Sequence, residues 1–145
     1  MKQRLGRRWL VALLACPLLV TACGGKSARD VTAEPAVVHH VAGTDVYRIT
    51  LSAQAAKRLE VETAAAKPVG SETVIPFAAV LYSATGRTWA YVNPKPLTFV
   101  RQAIVVDRID GNKAVLSAGL SSGTRVVTVG VPELHGIELD AGGGQ

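Results

Sequence analysis

Few residues of this chain have the types and spacing that catalysis requires. The segment GLSSG at residues 119–123 has the outline of a nucleophile elbow, but it leads into a strand pattern rather than a helix. The chain also offers no convincing His and Asp in the order that a catalytic triad needs. Glu60 and Glu62 form a carboxylate pair at the boundary between a predicted helix and a strand, where solvated side chains are expected. There is no phosphate-binding loop or dinucleotide fingerprint, so we predict that the protein is not an enzyme and has no cofactor.

Three histidines are the remaining candidates for metal chemistry. His39 and His40 are adjacent, and His135 lies far along the chain. A zinc site usually needs three or four ligands at characteristic spacing, and no Cys or Asp accompanies this pair in that way. We therefore expect solvated histidines and no metal site. A small-ligand or metal-binding protein that uses these three histidines is retained as the alternative function.

The N-terminal segment has the three-part layout of an export signal. Residues 1–8 are basic, residues 9–20 are apolar, and Thr21 and Ala22 are small. The apolar run is shorter than the roughly 20 residues that span a bilayer. Four of the 16 Lys and Arg lie in this segment, which leaves 12 against 11 Asp and Glu. With almost no net charge in the remainder, a nucleic-acid partner is not expected.

The predicted export signal ends in a motif that contains Cys23. The residues VTACG at positions 20–24 resemble the lipobox of bacterial lipoproteins. That resemblance implies cleavage before Cys23 after its thiol has received a diacylglycerol, which would anchor the chain through its acyl groups. We therefore predict a signal peptide over residues 1–22, lipid attachment at Cys23, and a location in the cell envelope that faces the periplasm or another extracytoplasmic space. Residues 23–43 are predicted to form a flexible tether.

The rest of the chain shows the pattern of a β protein. Apolar and polar residues alternate over residues 44–51, and Ser52 is a candidate N-cap for a short helix over residues 53–59. Further strands are predicted at 61–65, 74–82, 88–92, 97–109, 113–117 and 125–129. Lys67 and Pro68 end one strand in this prediction, and the segment NPKP at 93–96 is excluded from the sheet because its prolines remove ladder donors. We predict a mostly β domain over residues 44–138, a small antiparallel β-barrel or sandwich with one short helix, followed by a disordered tail over residues 139–145.

The core of this domain is predicted from its large apolar residues. The candidates are Ile49, Leu51, Leu59, Val80, Trp89, Val92, Val105, Leu116, Leu120 and Val127.

Several stretches of the domain point to a family. The segments IPFAAVLY (75–82), TWAYV (88–92) and PLTFVR (96–101), followed by GL at 119–120, VV at 126–127 and EL at 133–134, resemble the membrane-proximal region of periplasmic adaptor subunits, or membrane fusion proteins, of RND-type efflux pumps. The resemblance keeps order and spacing over most of the domain. Residues 51–59 and 61–63 resemble the segment that opens the same region. Family adaptors insert a β-barrel, a lipoyl-like sandwich and a long helical hairpin between these two halves. Here only residues 64–73 separate them, and no heptad pattern is present.

The resemblance implies a function in docking. In the family this region contacts the inner-membrane transporter, often with the help of a lipid anchor, so the expected partner is an RND-type transporter or a full-length adaptor. Because aromatic and Arg residues anchor interfaces, we expect an exposed docking surface around Trp89, Tyr91, Phe99 and Arg101. The predicted function is a lipid-anchored docking module that contributes to transmembrane export, and a remnant of a larger adaptor is a further possibility.

Overall fold

The computed structural model describes residues 34–143, which form ten strands and two α-helices. The strands are β1 (Ala36–His40), β2 (Tyr47–Leu51), β3 (Glu62–Ala65), β4 (Lys67–Val69), β5 (Glu72–Pro76), β6 (Leu81–Tyr82), β7 (Thr88–Lys95), β8 (Thr98–Asp110), β9 (Lys113–Ala118) and β10 (Arg125–Val129). The helices are α1 (Ala53–Arg58) and α2 (Val131–Glu138). The predicted signal, Cys23 and the first part of the predicted tether lie outside the described residues.

The sheet is antiparallel and curls into a nearly closed barrel. Its strand order is β3-β10-β7-β8-β9-β5-β4, and only Ala66 separates β3 from β4. The Ala66 N–H donates to the carbonyl of Thr124 and its carbonyl accepts from the N–H of Gly123, both at 2.8 Å. One bent segment therefore pairs with β10 through its first half and with β5 through its second half. This brings the two ends of the sheet together and removes most of its free edges.

Small and β-branched side chains fill the barrel interior. The buried set is Ala66, Ile75, Ala79, Ala90, Val92, Ile104, Ala114, Leu116 and Val126. The many alanines suit a barrel whose interior has room for side chains alone.

A second apolar core lies between the barrel wall and an outer layer made of β1, β2, α1 and α2. It contains Ile49, Leu51, Ala55, Tyr91, Phe99, Val127, Val131 and Leu134. Strand β2 joins the wall by pairing with residues 98–100 of β8. On β7, Ala90 and Val92 belong to the first core and Tyr91 to the second, so this strand is buried on both faces.

The structure confirms the mostly β fold and several local predictions. The Ser52 hydroxyl caps α1 by accepting from the Ala55 N–H at 3.1 Å. Residues 111 and 112 form the two-residue turn between β8 and β9, and β10 has the predicted bounds.

Other local predictions are wrong. Strand β1 lies in the segment that was predicted to be a tether, and it pairs along its length with β2. Pro68 lies within β4, at one end of the strand order, where a missing N–H is tolerated. Strand β7 runs on through Pro94 to Lys95 with a register shift. Helix α2 was not predicted, and residues 139–143 of the predicted tail continue in a helical turn. Val105, a predicted core residue, is 54% exposed.

A surface ion pair across β5 and β8 gives a pH-dependent prediction. The Arg108 guanidinium contacts both carboxylate oxygens of Glu72, at 2.6 and 2.8 Å. These hydrogen bonds hold the pKa of Glu72 below its ordinary value. A lowered pKa in the folded state adds stability above the unfolded-state pKa, and this stability is lost as the pH falls through the folded-state pKa. We expect the difference in urea midpoint between the wild type and Glu72→Gln to be present at neutral pH and to vanish between about pH 5 and about pH 3.

The exposed Glu62 on β3 provides the matched control for this measurement. Glu62→Gln should show a smaller midpoint difference at neutral pH, because the structure gives Glu62 no ion pair within residues 34–143. Equal pH profiles for the two variants would contradict a specific role of Arg108.

Candidate functional site

The four residues predicted to form a docking surface are buried. Their exposed fractions are 5% for Trp89, 0% for Tyr91, 3% for Phe99 and 9% for Arg101. Tyr91 and Phe99 face away from the barrel interior, but α1, α2, β1 and β2 cover them. The prediction of an exposed surface at these positions is therefore wrong. Aromatic residues next to an arginine occur at interfaces and also where a charged side chain is buried between packed elements, and here the second arrangement holds.

A buried carboxylate organises this region. Glu138, the last residue of α2, has no exposed surface. Its carboxylate lies 3.1–3.2 Å from Nε of Arg101, accepts from the Tyr91 hydroxyl at 2.5 Å, and accepts from the Tyr47 N–H at 3.2 Å. The Arg101 guanidinium also donates to the carbonyl of Asp45 at 3.2 Å. The cluster thus ties the end of α2 to β2, β7 and β8.

The Tyr91 hydroxyl serves this cluster as a neutral donor. Burial raises its pKa far above the usual range, and the hydrogen bond to Glu138 raises it further. Both carboxylate oxygens of Glu138 have donors within the protein, so we assign the cluster a structural role.

A cavity of about 330 Å³ lies beside this cluster, and we call it the Trp89 cavity. Its walls come from the turn before β7 with Arg87, from Trp89 and Arg101, and from His135 and Leu139. The guanidinium carbons of Arg87 and Arg101 lie 4.7 and 4.4 Å from the centroid of the Trp89 ring. Nε1 of Trp89 and Nδ1 of His135 are buried and have no hydrogen-bond partner. Both atoms are enclosed by the protein, although their residues contribute to the cavity wall.

An open strand edge lies at another part of the barrel wall. Strand β7 pairs with β8 only as far as Ile104, whereas residues 105–110 of β8 continue and pair with β9 on the other side. Within residues 34–143 no strand pairs with the remaining edge of this segment. We call it the β8 edge. A groove of about 710 Å³ runs along it, and three of its lining side chains are large, apolar and exposed: Tyr82 (54%), Val105 (54%) and Ile109 (43%).

The histidines are not brought together into a metal site. No group of three or more His, Cys, Asp or Glu within residues 34–143 is arranged to hold a metal ion. The His40 ring packs edge-on against Tyr47, with 5.1 Å between ring centroids, and His135 lies at the Trp89 cavity.

Sequence reasoning did not find Glu138, Arg87 or the β8 edge. Glu138 stands at the end of the domain in a segment without an obvious strand pattern, and a lone glutamate gives no signal of burial. The sequence contains a weak indication of the β8 edge. The predicted strand at 97–109 is much longer than its neighbour at 88–92, so part of it was left without a partner on that side.

Comparison of the chain with known proteins found no matching family model, no matching curated protein and no matching solved structure. Among the described residues, no helix is both long enough and apolar enough to cross a membrane.

Proposed function

We propose that this protein is a lipid-anchored docking module of the cell envelope that contributes to transmembrane export by protein–protein contact. Its proposed partner is an RND-type transporter or a full-length adaptor of such a pump, in keeping with the resemblance of residues 75–101 and 119–134. The observation that supports docking best is the β8 edge.

The β8 edge has the properties of a surface that receives another chain. Its backbone N–H and C=O groups are free of strand partners within the described residues, which is the condition for adding a strand from a partner. The flanking side chains of Val105 and Ile109 are exposed although both are large and apolar. Native proteins normally protect such edges with charge, proline or a covering element, so the exposed apolar flank favours a covered state in the assembled protein.

The charges beside the edge fit this interpretation. Arg108 is engaged by Glu72 and Asp107, so its charge is largely compensated. An incoming strand would therefore meet apolar side chains and backbone groups without first having to displace an uncompensated charge at Arg108.

The proposed anchor would keep this edge near a membrane. Ten residues lie between Cys23 and Glu34, and an extended chain over this distance reaches at most about 40 Å. A module attached at Cys23 therefore meets membrane proteins, or proteins bound to them, in a thin layer above the bilayer.

Site-specific photocrosslinking in cells tests the proposal. A photoreactive amino acid at Val105 or Ile109 should give a crosslink to a membrane transporter or an adaptor subunit, identified by mass spectrometry. The same amino acid at the exposed Gln54 of α1 is the matched control and should give none. Replacing Cys23 with Ser should reduce the yield of the crosslinked product, because the protein is then no longer held at the membrane surface near its partner.

Two outcomes would overturn the proposal. One is a crosslinking pattern from Val105 and Ile109 that equals the pattern from Gln54. The other is a specific product that contains no transporter or adaptor, since it would place the edge in a different assembly.

A further inference from the structure

We infer that the β8 edge binds an antiparallel strand of its partner, with apolar side chains that face the barrel interior and a basic residue at its N-terminal end. The docking proposed above is the premise, and the geometry of the edge specifies what the partner presents there. Three features carry the inference: the side chains of residues 105–110 that share a face, the place where β7 ends, and the charge of Asp110.

A β-bulge places Val106 and Ile109 on the same face of β8. Residues directly opposite each other in an antiparallel pair share a face of the sheet, and the register pairs Val106 with Leu116 and Ile109 with Ala114. Leu116 and Ala114 belong to the buried core of the barrel. Asp107 is the extra residue of the bulge, because the register shifts there. Val106 and Ile109 therefore both face the barrel interior.

The barrel core is incomplete beside Ile109. This side chain faces the interior and is nevertheless 43% exposed, whereas its partner Ala114 is 0% exposed. Strand β7 begins beside Ile104, whose carbonyl accepts from the Thr88 hydroxyl at 2.7 Å, and within residues 34–143 no strand continues along the same side of Ile109. A strand added there gains free energy by covering this surface if its inward side chains are apolar.

The other face of the same segment requires polar side chains. The register places Arg108 opposite Val115 and Asp110 opposite Lys113, and both Arg108 and Asp110 are exposed. Outward polar side chains on an added strand leave these two charges in contact with water. Because successive side chains of a strand point to opposite faces, the added strand alternates apolar and polar residues.

The pairing of β9 on the other side of this segment indicates the direction of the added strand. Strand β9 is antiparallel to β8 and begins with Lys113 opposite Asp110. Asp110 nevertheless has no ion pair within residues 34–143. An antiparallel strand on the free side also begins opposite Asp110, and a basic residue at that position forms a cross-strand pair of opposite charge.

Two peptides of identical composition test which side chains face the interior. The first is acetyl-Lys-Val-Thr-Val-Thr-Ser-amide, whose valines lie opposite Ile109 and Val106 when its lysine lies opposite Asp110. The second is acetyl-Lys-Thr-Val-Thr-Val-Ser-amide, which exchanges the two faces. We would titrate each into the lipidated protein in lipid nanodiscs and follow the backbone amide signals of residues 105–110 by NMR. The first peptide should shift these signals in a saturable way, and the second should bind at least about tenfold more weakly, because its valines would face water.

A nitroxide label in place of the acetyl group of the first peptide reports the strand direction. It should broaden the amide signals of Ile109 and Asp110 more than those of Val105 and Val106. Asp110→Asn should weaken binding of the first peptide about threefold, because the cross-strand charge pair is lost. Asp140→Asn is the matched control, since it makes the same change at an exposed residue outside the edge, and it should leave binding unchanged.

Four results would overturn the inference: amide signals that do not shift, equal binding of the two peptides, stronger broadening at Val105 and Val106, or equal effects of the two aspartate variants. The proposed function stands in each of these cases if crosslinking from Val105 or Ile109 still yields a transporter or an adaptor. Conversely, peptide binding as expected without that crosslink supports the strand site and overturns the proposed partner.

Discussion

Replacing Glu138 with alanine should lower the free energy of unfolding by about 3–5 kcal/mol, the range found when one partner of a buried ion pair is removed. The variant leaves the Arg101 guanidinium buried without its carboxylate, and it leaves the Tyr91 hydroxyl and the Tyr47 N–H without their acceptor. Urea titration followed by circular dichroism measures the effect. The loss should be large although Glu138 lies at the end of the last α-helix.

Two further variants determine whether the ion pair is the cause. Glu133 is exposed on the same helix, so Glu133→Ala should lower the stability by less than about 1 kcal/mol. The double variant Arg101→Met with Glu138→Gln removes both charges and should recover part of the loss seen in Glu138→Ala. If Glu138→Ala and Glu133→Ala unfold at the same urea concentration, the buried cluster does not hold α2 in place.

The second large effect is expected at Gly119, at the end of β9. Its backbone has φ +113°, and a Cβ atom there would lie 2.5 Å from the carbonyl oxygen of Ala103 and 2.6 Å from Cα of Ile104. Both are backbone atoms of β8, so relief requires a shift of the barrel wall. Gly119→Ala should therefore lower the free energy of unfolding by about 3 kcal/mol, from backbone strain and overpacking together.

Gly123, in the same loop, separates these two contributions. It also has a positive φ, +84°, but a Cβ atom there would meet no other atom within 4 Å. Gly123→Ala should thus lower the stability by about 1–2 kcal/mol, from the backbone conformation alone. Equal losses in the two variants, measured by urea titration, would show that β8 accommodates the extra methyl group.

The sequence predicts the strands of this domain better than it predicts which faces are covered. Alternation located β2 and β10 closely, and the Asp110-Gly111-Asn112 signal located a turn, because these patterns depend on local backbone geometry. On β7, however, consecutive residues are buried on both faces. Alternation then carries no information about which face is inside. The aromatic residues were assigned to an exposed surface because such residues often anchor interfaces.

Tertiary contacts explain the remaining differences between the predicted and the observed secondary structure. Strand β1 has a weak pattern of its own and is stabilised by its pairing with β2. Pro94 is accommodated in β7 because the register shifts after Val92. Val105 is exposed because β8 extends beyond the strand that would have covered its edge. The Trp89 cavity is lined by residues from β7, β8 and α2, and no local pattern in the sequence indicates that these residues lie close together.

The closure of the barrel at Ala66 also constrains the order in which the protein can fold. Ala66 is hydrogen-bonded to Gly123 and Thr124, so the barrel cannot close until the C-terminal third of the chain is present. An exported chain that emerges N-terminus first would, under the proposed anchoring, have its lipid site outside the cytoplasm before β10 arrives. Folding would then end beside the membrane, with the last strand closing a barrel whose other end is already tethered.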